Sequence, residues 1–483
     1  LKMQRLDVDG NALWDASGLV VSDEPQNSAL FRYDLKSDHA GNAIVAFQDE
    51  RSGALDIVAY RVAPDGSMLW GNGVQLTTPD GTGLAPVIGV LSDDRVVIAW
   101  NASPANNVAM RILPATGVPT AADPIQVQGT GRLGRPRIVP RSDGTFWLQY
   151  VQQTGNFLAP GTMLLSWYDA TGGMVDGPLT LSTKMIASFH FPEPITDGAD
   201  GLYIAFNTDN DANASLTDVF IQRVYADGTS WSATGTAVEV GATTQRYTGT
   251  ATPALISEAD GVMMAYRRTN TAQSMGGIAV QRMSTAGARL LGNTGVELIA
   301  QTDNLPEPFS NAAVDGGMVT AVSTGTDGQE GLVGLHVQPD GSFVGVGTIA
   351  ICTTLSGKDD ATLVPFRDGQ AVAVWQDTRT ASGIYAQPLE VDSHVGIAEV
   401  ATEFELLGNP GSQPELVLGE EAIASKSILS ILSIDGRLQE RRTLPLLTSG
   451  QRLQLTQRPI PAGSYLVILE HDGTRQVLRW VHP

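Results

Sequence analysis

Two short stretches of the chain place a carboxylate, an amide and a guanidinium group within four residues of one another. They read "QDERSG" and "QDTRTASG". Such groups could bind a ligand, or the Asp could accept backbone N–H bonds in a turn while the Arg bonds a neighbouring oxygen. Because the pattern recurs in separate repeats, the structural interpretation is favoured and no catalytic residue is assigned. The side chains concerned are Gln48, Asp49, Arg51, Gln376, Asp377 and Arg379.

A second candidate site lies in "TDNDANASLTD", where Asp209, Asp211 and Asn213 occupy alternate positions. Oxygen ligands at this spacing can converge on Ca²⁺ in a tight loop. An EF-hand, however, would need Gly at Ala214 and a bidentate Glu at Phe220. A solvated hairpin loop is therefore favoured. The cofactor prediction is none, with Ca²⁺ at these three residues as a weak candidate.

Residues typical of other chemistry are scattered. The histidines show no metal-binding spacing, and the sequence has no Gly-x-Ser-x-Gly elbow, phosphate-binding loop or dinucleotide fingerprint. Cys352 is the single cysteine, so an internal disulfide is excluded and a buried structural thiol is expected. The histidines are His39, His190, His336, His394, His471 and His482.

A repeat of roughly fifty-five residues positions all of these side chains. A short apolar strand ending near an aromatic residue recurs seven times, and most copies follow an Asp/Gly turn. A second alternating strand follows each copy, and a third segment such as "SMLWGNGVQLTT" follows some of them. The seven copies are "AIVAFQD", "VVIAWNA", "TFWLQYV", "LYIAFNT", "VMMAYRR", "MVTAVST" and "AVAVWQD".

About four antiparallel strands per repeat predict an all-β fold, a β-propeller over residues 1–392. Seven blades are favoured and eight remain open, because the second strand occurs eight times. Residues 1–23 match only the second half of a repeat, and the last repeat lacks its final strand. We therefore expect an outer strand from one terminus to complete the blade at the other. The aromatic residues that end the first strand copies are expected to pack between blades: Phe47, Trp100, Tyr150, Phe206, Tyr266 and Trp375.

Charge and hydropathy restrict the partners. With a formal charge of −21, the chain is a poor match for nucleic acid, which requires clustered cations. No run of eighteen apolar residues is present, so no transmembrane helix is predicted. The chain begins Leu1-Lys2 without an apolar leader, so any signal peptide is expected to have been removed or to lie outside this sequence.

The last eighty residues follow a different pattern. Residues 393–400 are predicted to be a linker, and short alternating strands over 401–483 predict a small immunoglobulin-like β-sandwich. This segment resembles the C-terminal sorting domain of type IX secretion cargo from Bacteroidetes-type bacteria. The "AVAVWQDTRTASGIYAQ" stretch is similar to repeats of such cargo. The motif residues, in the order that the family shows, are Asn409, Pro410, Asp435, Gly436, Arg437, Pro461, Ala462, Gly463 and Tyr465.

The resemblance implies export through the periplasm and across the outer membrane, with the terminal domain bound by outer-membrane secretion components. It also implies a final location at the cell surface or in the medium, with anchoring to surface lipopolysaccharide as one route. The propeller is expected to be a non-enzymatic platform for adhesion, assembly or binding of an unidentified extracellular ligand. The alternative is an extracellular hydrolase or lyase whose site lies in the central channel. Charged groups converging there would favour the enzyme.

Overall fold

The structure, a computed structural model, describes residues 1–7, 10–26, 33–78, 81–103, 106–155, 159–188, 190–211, 213–241, 253–366, 369–379, 383–389, 404–407, 415–418, 427–433, 437–444, 452–456, 460–471 and 474–482. These residues contain β-strands and no α-helix. None of the described segments is a helix long and apolar enough to cross a membrane. The chain divides into two compact units, Leu1–His394 and Val395–Pro483.

The first unit is a β-propeller of seven blades, numbered here in chain order. In blades 1 to 6, four antiparallel strands pair in sequence order, whereas blade 7 shows three described strands. Blade 1 contains β3 (Asp34–Ser37), β4 (Ala43–Asp49), β5 (Asp56–Val62) and β6 (Val74–Gln75); blade 2 contains β7 (Thr82–Val90), β8 (Val96–Ser103), β9 (Asn107–Leu113) and β10 (Ile125–Gln126). Blade 3 contains β11 (Arg132–Pro140), β12 (Phe146–Gln153), β13 (Gly161–Tyr168) and β14 (Met174–Thr180); blade 4 contains β15 (Ile195–Thr196), β16 (Leu202–Asn210), β17 (Asn213–Val224) and β18 (Thr236–Ala237). Blade 5 contains β19 (Ala254–Glu258), β20 (Gly261–Thr269), β21 (Gly276–Ser284) and β22 (Val296–Thr302); blade 6 contains β23 (Glu307–Val314), β24 (Gly317–Thr326), β25 (Gln329–Val337) and β26 (Phe343–Ser356); blade 7 contains β27 (Lys358–Pro365), β28 (Ala371–Asp377) and β29 (Gly383–Leu389).

The hydrophobic core lies between the blades. Side chains of a strand alternate between its two faces, so the apolar second strands, β4, β8, β12, β16, β20 and β24, contribute to the layers on both sides of their blades. Six apolar clusters join blades 1 to 7 in consecutive pairs. The strand-end aromatics predicted to pack between blades are buried, from Phe47 at 0% exposure to Trp375 at 4%. The predicted all-β propeller is therefore confirmed.

Tryptophan side chains connect the outer parts of neighbouring blades. The Trp70 indole of blade 1 donates to the backbone oxygen of Ala115 in blade 2, at 3.0 Å. The Trp231 indole of blade 4 donates in the same way to Thr285 in blade 5, at 2.9 Å. A glycine with a left-handed φ lies under each indole, Gly117 at +79° and Gly287 at +82°. We call this contact the indole latch.

The chain start does not complete blade 7. Strand β1 (Lys2–Met3) pairs with β2 (Leu19–Val20), and this hairpin packs on blade 1, where Val21 joins the cluster containing Phe47. Among the described residues, β29 pairs only with β28. The expected strand exchange between the ends of the propeller is therefore not observed. The N-terminal hairpin packs on blade 1 and, among the described residues, forms a sheet of only two strands.

The second unit consists of two sheets around one core. One sheet has the order β30-β31-β34 and the other β33-β32-β35-β36. Leu416 and Leu455 from the first part pack with Ile431, Val467 and Trp480 from the second. This arrangement agrees with a sandwich, whereas an immunoglobulin-like topology stays a prediction. The strands are β30 (Phe404–Leu407), β31 (Glu415–Leu418), β32 (Ser427–Ser433), β33 (Leu438–Leu444), β34 (Arg452–Gln454), β35 (Gly463–His471) and β36 (Thr474–His482).

Candidate functional site

The first Asp–Arg pair is part of the scaffold of blade 1. Asp49 is fully buried at the end of β4, and the Arg51 guanidinium donates to its carboxylate at 2.8–3.1 Å. Arg51 also bonds the Tyr60 hydroxyl at 3.0 Å and the Asn72 backbone oxygen at 2.9 Å. Burial opposes the charge of Arg51, but the hydrogen bonds that its guanidinium donates to the Asp49 carboxylate and the Tyr60 hydroxyl raise its pKa overall. All of these contacts tie one blade together.

The second pair, in blade 7, is bonded still more completely. Asp377 is buried and accepts hydrogen bonds from Arg379 Nε at 2.9 Å, Ser356 Oγ at 2.6 Å and the Trp375 indole at 3.1 Å, while Lys358 Nζ lies 3.1 Å away. Burial alone would raise its pKa, but these bonds hold the pKa of the Asp377 carboxyl well below its usual range. A carboxylate with this many partners is a structural anion rather than a proton carrier.

Gln48 completes the first pattern in a similar way. Its side-chain amide donates to the backbone oxygen of Gly83 in blade 2, at 2.9 Å, and its side chain is buried. Asn101 occupies the equivalent position in blade 2, where it bonds Leu84 and accepts from the backbone N–H of Arg135 in blade 3. The amide position therefore fixes the inner strand of the following blade. Gln376 holds the equivalent position in blade 7, which is the last blade in chain order.

The weak calcium candidate lies in the hairpin between β16 and β17. Asp211 forms an ion pair with Lys184 at 2.8 Å, and Asp209 pairs in register with Thr217. Asn213 begins β17, and its side chain lies outside the description. Within the described residues, no group of three His, Cys, Asp or Glu side chains is positioned to hold a metal. The cation of Lys184 already neutralises Asp211, so Ca²⁺ at this hairpin stays a prediction.

The described histidines of the propeller lie on different blades or beside them. His39 bonds Asp94 at 2.7 Å on the surface, and His336 bonds the Asp315 backbone oxygen at 3.1 Å. His190 is fully buried without a well-formed hydrogen bond to its ring, and burial lowers its pKa to about 3. It therefore stays neutral at physiological pH. His482 packs against Trp480, whereas His394 and the side chain of His471 lie outside the described part.

Cys352 is buried, as expected for a structural thiol. Its sulfur lies 2.9 Å from the Arg379 guanidinium, next to the bonded carboxylate of Asp377. The thiol thus belongs to the blade 6–blade 7 scaffold.

Charged residues collect where the first strands begin. The first strands of neighbouring blades contact one another, as those lining a propeller axis do. We call a set of polar and charged side chains that lie on these strands or directly before them the inner rim. Arg137 and Glu193 form an ion pair across blades 3 and 4 at 3.2 Å. The inner rim comprises Tyr33, Arg137, Glu193, Glu307, Asp359 and Asp360.

Glu307 is the inner-rim carboxyl with an altered proton affinity. Burial raises its pKa; Arg267 of blade 5 opposes the shift and Asp359 of blade 7 adds to it. On the other side of Asp359, burial and the Asp360 carboxylate raise the pKa of Tyr33. A carboxyl that holds its proton more tightly than usual, beside a cation, is the type of group that serves in acid–base catalysis.

The sequence analysis did not single out this cluster, although one signal was present. Glu193 and Glu307 both stand in a Pro-Glu-Pro tripeptide directly before a first strand, in "FPEPI" and "LPEPF". That shared position predicts that both carboxylates reach the same end of the propeller axis. Arg267, Asp359 and Tyr33 carry no comparable pattern.

The sorting-motif residues are described only in part. Asn409, Pro410, Asp435 and Gly436 lie outside the described residues. Arg437 is exposed just before β33, and Pro461 and Gly463 are exposed at the start of β35. Tyr465 is buried, stacks against Trp480 with ring centroids 5.2 Å apart, and donates its hydroxyl proton to the Pro461 backbone oxygen at 2.5 Å. These contacts attach the start of β35 to the core of the unit.

No known protein family matches the chain, and no curated protein gives a significant sequence match. Among solved structures, an ulvan lyase of polysaccharide lyase family 25 is similar over 76% of this chain and 92% of its own, with 9% identity and a TM-score of 0.42. An endo-arabinase from Bacteroides thetaiotaomicron covers 76% of this chain and 96% of its own, with 10% identity and a TM-score of 0.33. Drosophila Plexin A, bound to Semaphorin 1b, covers 75% and 86%, with 11% identity and a TM-score of 0.41. At these identities and scores the similarities say nothing about substrate or partner.

Proposed function

We propose that this chain is exported cargo of a type IX secretion system and that the C-terminal unit is its export signal. The observation that carries the proposal is that this unit has a core of its own, in which the motif residue Tyr465 is buried and bonded to Pro461. A folded unit with exposed strand ends offers a surface that an outer-membrane receptor can bind by its backbone or side chains. The protein would then reside at the cell surface or in the medium.

Deletion of residues 401–483 tests the export signal. In a bacterium with a type IX system, the shortened chain should accumulate in the periplasm, while the full chain reaches the surface or the medium. A matched control replaces Tyr465 with Phe, which keeps the ring against Trp480 and removes the bond to Pro461. Export of the deleted chain at the full-length level would overturn the proposal.

For the propeller, we propose a binding platform whose ligand contacts the inner rim. The strand-end carboxylates Asp49 and Asp377 are occupied by scaffold contacts, so we place the binding surface at the inner rim, where the exposed Glu193 lies beside Arg137. With Arg137 as its one cation beside four carboxylates, the inner rim suits a ligand rich in hydroxyl groups, such as a surface glycan. Lipopolysaccharide, the anchoring partner suggested by the resemblance, has this chemistry. Charge-reversal variants Arg137→Glu and Glu193→Lys should alter binding of the purified protein to lipopolysaccharide; unchanged binding in both would contradict this site.

A second candidate function is an extracellular hydrolase or lyase, and Glu307 is the observation that favours it. Its raised pKa and its neighbours Arg267 and Asp359 are the groups that proton transfer to a glycosidic oxygen or from a sugar carbon would need. Incubation of the secreted protein with acidic and neutral polysaccharides would test for cleavage. Activity that disappears in Glu307→Gln, but persists in Glu297→Gln at an exposed site, would support the enzyme and contradict the platform.

Calcium binding at Asp209, Asp211 and Asn213 is a separate proposal. If the ion binds there, chelation should lower the melting temperature, and the Asp211→Asn variant should lose that response. An unchanged melting temperature in the parent would remove calcium from the account.

A further inference from the structure

The face of blade 7 that does not pack on blade 6 exposes apolar side chains, and the equivalent side chains of other blades are buried. Ile384 on β29 pairs in register with Gln376, which is the position that Ile57 occupies opposite Gln48 in blade 1. Ile384 is 65% exposed, and Val364 on the first strand of the same blade is 49% exposed. The equivalents of Ile384 in blades 1, 2, 3, 5 and 6 are at most 1% exposed: Ile57, Val108, Met163, Ile278 and Leu332.

Blade 1 shows the complementary exposure on its opposite face. Leu35 on β3 pairs in register with Val45, as Ile88 pairs with Ile98 in blade 2 and Leu363 with Ala373 in blade 7. Leu35 is 47% exposed, whereas Ile88 is 3% and Leu363 is 4% exposed. The apolar faces at the junction of blades 7 and 1 are thus uncovered on both sides. We call this junction the open seam.

The N-terminal hairpin has the geometry of the outer half of a blade at this place. Lys2 of β1 pairs with Val20 of β2, as Val58 of the third strand pairs with Gln75 of the fourth in blade 1. The Trp14 indole donates to the Pro64 backbone oxygen of blade 1 at 3.2 Å and lies over Gly66. This is the indole latch that blade 1 forms with blade 2. The hairpin therefore meets blade 1 as a preceding blade would.

We propose that the open seam is a docking site for a β-hairpin with the pattern of the first and second strands of this chain's own blades. Such a hairpin would pair with β1 and complete an eighth blade whose outer strands are β1 and β2. Its alternating apolar residues would cover Ile384 and Val364 on one side and Leu35 on the other. This inference goes beyond the proposed function, since it concerns how the propeller is closed.

The choice of occupant rests on continuity with an interface that already exists. The hairpin β1–β2 and blade 1 share one apolar cluster, in which Val21, Val45 and Val58 are buried, and the open seam extends that cluster toward the axis. In blades 1 to 6 a short turn joins the second strand to the third. Because β1 has the register of a third strand and pairs only with β2 among the described residues, its other edge is the position of a second strand. A second copy of the propeller is a poor source of this hairpin, because the first and second strands of its blades are already buried between neighbouring blades.

Attachment of a suitable hairpin to the full chain tests the proposal. A copy of residues 82–107, which supplies the first two strands of blade 2, is fused directly before Leu1. The matched control carries the same copy with Val97→Asp and Ile98→Asp, one change for each face of the added strand. Thiol labelling of Ile384→Cys and of Leu35→Cys reports coverage of the two sides of the seam, with Val118→Cys, 68% exposed on blade 2, as the reference position.

The fusion with the unaltered copy should slow thiol labelling at both seam positions about tenfold or more, as expected for side chains covered by a stable local structure. The labelling rate at position 118 should stay unchanged. The unaltered copy should also raise the melting temperature, whereas the Asp-bearing copy should do neither. Equal labelling rates in the two fusions would overturn the proposal. Protection that appears in the unfused protein only at high concentration would identify a second copy as the occupant, and would overturn it as well. None of these outcomes depends on the export signal or on the ligand of the propeller.

Discussion

Two buried carboxyl groups of this propeller have their proton affinities moved in opposite directions. Asp377 is surrounded by donors, Arg379, Ser356 and Trp375, so its charged form is favoured. Burial of Glu307 and the nearby Asp359 carboxylate favour its neutral form, although Arg267 opposes the shift. The sequence pattern around Asp377 predicted a structural role, and the contacts agree with it. The environment of Glu307 depends on Arg267 and Asp359 in two other blades, which no local pattern reveals.

Substitution of Asp377 should destabilise the propeller strongly. In Asp377→Asn the cations of Lys358 and Arg379 lose their buried partner, which costs on the order of 3 kcal/mol or more. The control Asp211→Asn removes an exposed ion pair with Lys184 and should cost less than about 1 kcal/mol. Denaturant unfolding of both variants measures the difference. Equal stabilities would show that the Asp377 cluster does not hold blade 7.

The Asp377 carboxylate makes the free energy of unfolding depend on pH. An unfolded Asp titrates near pH 3.9, roughly, and the folded pKa of Asp377 is lower, so its stabilisation is complete above that pH. The stabilisation is lost as the pH falls through the folded value. The difference in unfolding free energy between the parent and Asp377→Asn should therefore shrink on acidification below pH ~4. A difference that grows in acid would contradict the assignment.

Glu307 should behave in the opposite way. Because its folded pKa is raised above the unfolded value of about 4.3, its contribution is complete in acid and is lost as the pH rises through the folded pKa. Glu307→Gln should therefore be more stable than the parent at neutral pH, with a margin that disappears below pH ~4. Unfolding of the variant and of the exposed control Glu297→Gln at both pH values measures this. A variant less stable than the parent at neutral pH would show that Glu307 is mainly an ion-pair partner of Arg267.

At the scale of strands and blades, the repeat was readable because its chemistry is local. An apolar strand closed by an Asp-Gly turn specifies a hairpin wherever it occurs, so the seven sheets follow from the pattern. Contacts between blades were harder to predict from the sequence. The indole latch joins Trp70 to a turn about forty-five residues further on, and only the segment that carries the donor, "SMLWGNGVQLTT", belongs to the repeat described from the sequence. The matching glycine, Gly117, looks like any other turn glycine in the sequence.

The latch predicts a difference between two glycines with the same backbone conformation. Gly117 and Gly41 both have φ of +79°, but a Cβ at Gly117 would lie 2.6 Å from the Trp70 ring, whereas Gly41 has open space around it. Gly41→Ala should cost only the left-handed conformation, roughly 1–2 kcal/mol. Gly117→Ala should cost a further 1–3 kcal/mol or so, because the indole must move. Thermal unfolding of both variants tests this, and equal midpoints would show that the latch is loose.

At the scale of the whole molecule, the repeat pattern ends near residue 392, and the chain divides into its two compact units after His394. The sequence indicates a boundary here because the last copy of the propeller repeat ends near this position. The sequence could not predict the open seam, because its two sides carry Leu35 and Ile384, which are far apart in the chain and are exposed where their equivalents in other blades are buried. The central claim at this scale is that the C-terminal unit is the export signal and the propeller is the exported cargo.

Transfer of the C-terminal unit to a foreign protein tests that claim most directly. Residues 393–483 are fused to a periplasmic fluorescent reporter and expressed in a bacterium with a type IX system. A matched fusion carries Tyr465→Ala, which opens the contact with Trp480 and removes the bond to Pro461. The account predicts that the first reporter appears at the cell surface or in the medium and that the second stays in the periplasm. Retention of both reporters in the periplasm would contradict it.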